Sequence, residues 1–333
     1  MTETVLAGPI PMVRRLAERW IGRLSGDFAC SPAGLWLVLA AAAAGAGGQT
    51  ARELGELVGP EPARAFTEVT RALEEHPEGW TADTGLWART PVYREFREAL
   101  PDLRVGAEAG VRPDDDELLM LVNTLAVQGR WESVFKSELT TDRPFTDADG
   151  VEHRVPTMSK KVPPANAWTV DGVQVVALLA RGLQVSFLLG APGEGPAEVL
   201  PAAWVAKDRR RPVEADEVTI ALPRVELRTR LDAARDLPAL GASMAVRREA
   251  DFSKLSPEPL MISRVLQESV VRVDEYGITA AAVTHGIFRS LSASTRKERV
   301  RHIAFDRPFG IVVFEKVSGL PLFTAWQSSA PRG

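Results

Sequence analysis

An α+β fold is what the sequence predicts, and three observations carry that expectation. Apolar residues recur at helical spacing through roughly the first hundred positions; beyond residue 118 they gather into short runs of branched and aromatic side chains; and no linker divides the two halves. With 45% hydrophobic and 25% charged residues, the chain has the material for a core and lacks the composition of a disordered protein. Its 333 residues exceed the usual length of a domain, yet no Pro/Gly/Ser-rich stretch marks a boundary, so a single domain over 1–333 is expected.

From Pro11 to Leu24, Val13, Leu16, Trp20 and Leu24 share one face, and an amphipathic helix opens the fold. Ser31-Pro32 starts a second helix, proline being suited to the first turn; "AGLWLVLAAAAAGA" then has scarcely a polar face and must be buried. A third, short helix is predicted from Thr50 to Val58, with Thr50 as N-cap and Glu53 three residues on. "VYREFREAL" gives another, turning Val92, Phe96 and Leu100 inward. After residue 118, "LLMLVNTLAVQGRW", "VQVVALLA", "LQVSFLLGA", "VTIALPRVEL", "VVRVDEY" and "HIAFDRPFGIVVFEKV" read as strands, mostly antiparallel.

Known chemistry is largely excluded. The net charge of −4 recruits neither nucleic acid nor an acidic membrane, and the basic run Lys207 to Arg211 is answered at once by Glu214, Asp216 and Glu217, as in a solvated loop. Cys30, the single cysteine, allows no internal disulfide. "GAGGQT" at Gly45 to Thr50 follows a helix and lacks a third glycine, so it reads as a helix-ending turn. Asp114 to Glu117 are consecutive carboxylates that diverge in direction, and His76, His153, His285 and His302 are scattered; no metal site is expected. Without phosphate loop, zinc motif or nucleophile elbow, no catalytic residues and no cofactor are assigned, and an enzyme is not the favoured reading. The N-terminal segment has no apolar core behind a basic start and no run is long enough to span a bilayer, so a cytoplasmic, monomeric protein is expected.

Six segments, in order, resemble the serpin family. They are "FACSPAGLWLVLAAAAAGAGGQTARELGELVG", "LVNTLAVQGRWESVFKSELTTDRPF", "VTIALPRVEL", "LPALGASMAVRREADFSKLS", "VDEYGITAAAVT" and "AFDRPFGIVVFEKVSGLPLFTAW". The resemblance, of a bacterial type, implies helices, a large mixed sheet, smaller antiparallel sheets and an exposed reactive loop at about 275–302. In such a protein a protease cuts the loop, and the hinge side inserts as an added strand. On this resemblance the hinge comprises Glu275, Gly277, Ile278, Ala280, Ala281, Ala282 and Thr284: small side chains can enter a packed sheet, and Gly277 gives the pivot backbone freedom. Ser31, Asn123, Trp131 and Gln267 fall in the region where the sheet opens.

Departures from the family pattern accompany the matches. Ile278 stands where a small residue is usual and should slow insertion, Gln267 replaces a His, Gly34 a Ser, and Gly310 a large apolar residue. Only "GAEAGVRPDDDE" stands where a helix normally covers the front of the large sheet, which implies that this helix is deleted; the region around "EEHPEGW" is too short for the helix that binds heparin in some relatives, so no heparin site is expected. Counting about sixteen residues on from Glu275 puts the reactive bond at Leu291-Ser292; counting about eleven back from Pro308 gives Lys297, with Arg296-Lys297 the alternative. The resemblance therefore implies a suicide inhibitor of serine proteases, chymotrypsin- or elastase-like for Leu291. The alternative is a non-inhibitory scaffold, a small-molecule binder or biosynthetic enzyme using the bared sheet face.

Overall fold

The computed structural model describes residues 8–74, 80–106, 114, 118–279 and 299–332. Helix α1 (Pro9–Ile21) buries Val13, Leu16, Ala17 and Trp20, and Leu24 lies beyond its end. Strand β1 (Phe28–Cys30) leads into α2 (Pro32–Ala44), buried along its length as its composition requires. Gly45 closes α2, and a short turn leads to α3 (Gly48–Val58). Thr50 and Glu53 do not cap α3, which begins earlier. Thr50 Oγ1 accepts from Asp251 N at 2.9 Å and Glu53 Oε2 from Met244 N at 2.8 Å, so both hold a distant loop instead. No helix was assigned from the sequence between Val58 and Trp80, yet α4 (Pro62–Glu74) is there, turning Phe66, Val69, Ala72 and Leu73 inward.

Strands dominate the remainder: β2 (Trp80–Ala88), then α5 (Arg94–Ala99), β3 (Arg104–Val105), β4 (Leu119–Arg130), β5 (Thr141–Thr146), β6 (Glu152–Val162), β7 (Ala167–Val170), β8 (Val173–Ala180) and β9 (Leu183–Leu189). After α6 (Pro196–Val199) come β10 (Arg211–Pro212), β11 (Glu217–Pro223), β12 (Val225–Asp232), α7 (Leu237–Leu240), β13 (Ile262–Val273), β14 (Gly277–Thr279), β15 (Val300–Ala304), β16 (Phe309–Glu315) and β17 (Pro321–Gln327). Two expected strands are each divided. Val218–Leu227 breaks at Arg224 into β11 and β12, which join different sheets, and His302–Val317 breaks ahead of Phe309 into β15 and β16. The segment between β3 and β4, where a covering helix was expected to be missing, lies almost wholly outside the described residues.

Three sheets result. The mixed sheet runs β12-β13-β14-β4-β2-β3; an antiparallel sheet runs β1-β17-β16-β9-β8-β7-β10; and β15-β11-β6-β5 form the third, with β15 and β11 parallel. Helix α2 packs on β4 and β13 of the first sheet and on β17 of the second, which is why it needs no polar face.

Gly310 finds its reason here. A Cβ on it would come 2.5 Å from Leu200 Cδ2, so Leu200 occupies the space a larger residue would take. Gly310→Leu should therefore overpack this contact and lower stability by about 1–3 kcal/mol. The Leu200→Ala, Gly310→Leu double variant should recover part of the loss, as read from urea unfolding midpoints.

Candidate functional site

The mixed sheet is divided along the seam between β4 and β13. At one end these strands pair directly and in parallel, Leu119 to Thr124 against Ile262 to Glu268. At the other they are held apart by β14, which pairs antiparallel with both: Ile278 opposes Gly129 on β4 and Val273 on β13. Gly277 and Ile278, expected to belong to a hinge, thus lie in a strand within the sheet rather than at the start of an exposed loop at 275, and β15 begins at Val300, before the expected loop end. Expected to hinder entry, Ile278 is already in place and 1% exposed. Ala280, Ala281, Ala282 and Thr284, and both reactive-bond candidates, Leu291-Ser292 and Arg296-Lys297, lie outside the described residues.

Close approach, and not backbone freedom, explains Gly277. Its φ is not among the positive values, but a Cβ there would lie 2.2 Å from the carbonyl oxygen of Gly129. Glu275, 2% exposed, accepts two hydrogen bonds from Arg224 Nε, each at 3.1 Å, one from Arg224 Nη2 at 2.7 Å and one from Thr140 Oγ1 at 2.6 Å. Burial alone pushes the Glu275 carboxyl up, but the Arg224 and Thr140 bonds outweigh it and hold the group below the usual carboxylate range. Trp131 follows β4 and donates from Nε1 to Asp274 O and from its backbone N to Tyr276 O, both at 2.9 Å. Phe135 N donates to Glu275 O at 2.9 Å. The turn after β4 therefore grips the hinge through its main chain.

Ser31, Asn123 and Gln267 meet at the other end of the seam. Gln267 Oε1 accepts from Ser31 N at 2.6 Å while its Nε2 donates to Ser31 O at 3.0 Å, an amide-to-peptide clamp on the cap of α2. Ser31 Oγ donates to Leu322 O at 2.6 Å and accepts from Gly34 N at 2.9 Å. A Cβ on Gly34 would stand 1.9 Å from Asn123 Oδ1, so the loss of a side chain at 34 makes room for the Asn123 amide. Asn123 Nδ2 donates to Thr84 Oγ1 at 3.1 Å; among the described residues, Asn123 Oδ1 and Ser269 Oγ are buried without hydrogen-bond partners. Of the four residues expected at the sheet opening, Trp131 alone belongs to the hinge end. Arg224, Thr140 and Thr84 escaped the sequence reading; the Pro223-Arg224 break between two strands was the one available signal for Arg224.

The helices and three sheets form an α+β fold in which β14 lies between β4 and β13 at one end of the mixed sheet. Residues 109–327 match the family model for serpin (serine protease inhibitor), and the chain belongs to that family. It is 27% identical over 214 residues to alpha-1-antiproteinase 2 of Equus caballus, covering 63% of this chain and 49% of that protein. To plasminogen activator inhibitor 1 of Sus scrofa it is 30% identical over 217 residues, covering 62% and 52%. The chain spans about half the length of the curated relatives it matches. Human thyroxine-binding globulin has the same fold, with a TM-score of 0.80 at 17% identity over 99% of this chain and 100% of that one.

Because the folded state holds Glu275 below its ordinary pKa, its contribution is complete above the usual carboxylate range and is lost as the pH falls through the lower folded value. The Trp131 indole N–H resonance should stay unchanged from neutral pH down to that range and move only below it. Glu275→Gln should remove this dependence and destabilise the protein by about 1–3 kcal/mol, less than for a wholly buried pair because Arg224 is partly exposed.

Proposed function

We propose that this serpin is a suicide inhibitor of serine proteases, acting as a monomer, with Leu291-Ser292 the bond presented to a chymotrypsin- or elastase-like enzyme. The protease serine attacks the Leu291 carbonyl carbon, the Ser292 amine leaves, and the acyl-enzyme is carried off by loop insertion before water reaches it.

The observation that carries this reading is the register of β14. Continuing it by one residue at a time sets Ala280 against Val127 and Val271, Ala282 against Leu125 and Ser269, and Thr284 against Asn123 and Gln267. Side chains alternate faces, so Ala280, Ala282 and Thr284 follow Ile278 inward, where only small groups fit a closed interior. Thr284 would reach the point where β4 and β13 still pair directly, and its hydroxyl could donate to the partnerless Asn123 Oδ1. Insertion to that depth must part the ladder from Thr124 and Glu268 downward.

A second reading has one observation in its favour. A cavity of about 820 Å³, lined by Leu24, Pro144, Pro192, Arg307 and Trp326 among others, could take a small molecule, as the name of thyroxine-binding globulin says of that relative in fold. None of its lining residues belongs to the mixed sheet, so it gives no support to a pocket on a bared sheet face.

Incubation with chymotrypsin, elastase, trypsin and subtilisin, read on denaturing gels, decides between them. A covalent complex with chymotrypsin or elastase is expected, trypsin or subtilisin instead pointing to Arg296-Lys297; cleavage of the loop without any complex would end the inhibitor reading. Nicking the loop should raise the melting temperature of the parent, and Ala280→Arg should abolish the gain while sparing the uncut fold, since a buried unpaired charge costs several kcal/mol.

A further inference from the structure

Two half-buried guanidiniums on the far side of the molecule from the hinge are held by carbonyls alone. Arg14 on α1 donates from Nη2 to Gly319 O at 3.2 Å, in the turn between β16 and β17. Arg210, just ahead of β10, donates from Nε to Val205 O at 3.0 Å and lies 4.6 Å over the ring of Trp168 on β7. Glu18, one turn further along α1, accepts at Oε1 from Trp204 Nε1 at 2.8 Å instead of pairing with either. The acids that follow the basic run Lys207 to Arg211 do not answer it as its sequence suggests: Asp216 accepts from Arg299 N and Glu217 pairs with Lys161, while Arg209 of the run pairs with Asp171.

The cluster is also short of acceptors. Among the described residues, Arg14 Nε and Trp168 Nε1 are buried without hydrogen-bond partners, and both groups can only donate. Burial first, and then the charge of Arg210, push the Arg14 guanidinium below the usual arginine range against a smaller opposing pull from Glu18; burial does the same to Arg210. Like charges that are near one another and partly stripped of water cost free energy, and what offsets that cost is a group that accepts several hydrogen bonds and carries negative charge.

We propose that Arg14 and Arg210 form a binding site for a small tetrahedral dianion, inorganic phosphate or sulfate. Its oxygens accept from the N–H groups of both guanidiniums, and its charge answers theirs. Arg14 lies on the first helix and Arg210 beside the edge strand of the antiparallel sheet, so the ion fastens one to the other and stabilises the folded chain by mass action. A free ion suits the site better than a phosphate carried on a larger body, because Trp168 is 8% exposed and offers such a body little surface. Neither arginine belongs to the mixed sheet, so the site is independent of protease inhibition.

The test is calorimetric titration of the full chain with sodium phosphate near neutral pH, ionic strength being held constant with chloride. Phosphate should bind one-to-one and raise the melting temperature above that in matched chloride; no binding, or a melting shift equal to that in chloride, would overturn the site. Arg14→Gln and Arg210→Gln should each weaken binding about tenfold or more, since each removes a charge-assisted contact. Arg209→Gln, in the same basic run but paired with Asp171, should leave it unchanged. Binding that survives the first two substitutions, or that Arg209→Gln weakens as much, would show a diffuse basic surface and not a site. Circular dichroism first establishes that each variant folds; should Arg14→Gln fail to fold for want of its Gly319 bond, Arg210→Gln decides alone. Phenyl phosphate should bind no more tightly than phosphate, and markedly tighter binding would overturn the assignment to a free ion.

Discussion

Three residues of backbone hold the mixed sheet in its present state. Gly277, Ile278 and Thr279 bond to β4 on one side and β13 on the other, satisfying strand edges that would otherwise be buried and unpaired. The glycines on both sides of this contact follow from it. Gly277 must lie against the Gly129 carbonyl, and a Cβ on Gly129 would itself come 2.9 Å from Ala180 and Leu183 of the neighbouring sheet. Two sheets and a wedge strand meet at one place, and only residues without side chains let them do so. The ion pair of Glu275 with Arg224 and the grip of Trp131 then set the angle at which the chain enters the wedge.

The opposite end of the seam is secured by a different device. Gln267 clamps the peptide of Ser31, and Ser31 is at once the cap of α2 and a donor to Leu322 on β17. One residue therefore ties the mixed sheet, the buried helix and the antiparallel sheet together. The clamp holds β13 to the cap of α2, and the Thr84 bond of Asn123 holds β4 to β2. Among the described residues, Asn123 Oδ1 and Ser269 Oγ on the two strands are buried without hydrogen-bond partners.

Much of this was legible in the sequence, and what was not has physical causes. The buried helix α2 was readable because twelve near-continuous apolar positions can satisfy no other environment. Of the hinge expected from the family resemblance, Glu275, Gly277 and Ile278 lie among the described residues, the last two in β14. Helix α4 went unassigned although its Phe66, Val69 and Leu73 have helical spacing. Arg224 was hidden because its partner, Glu275, is 51 residues away, and no local pattern reports a pairing created by two sheets converging. The state of the hinge was hidden for a deeper reason: inserted and exposed forms use the same residues, and their balance lies in tertiary contacts.

Ile278 shows how such a balance is set. A small residue at the first inward position would enter easily but hold weakly, whereas burying an isoleucine side chain contributes roughly 1.5–3 kcal/mol. Its bulk therefore slows entry only for a hinge that begins outside, and this one begins inside. Once seated, Ile278 also fixes parity, because a slip of one residue would carry its side chain to the opposite face of the sheet. In the proposed insertion every inward position that follows would inherit its face from this choice, and the residues at 280, 282 and 284 are small enough for it. On that reading the large residue pins the register and the small ones after it admit further insertion.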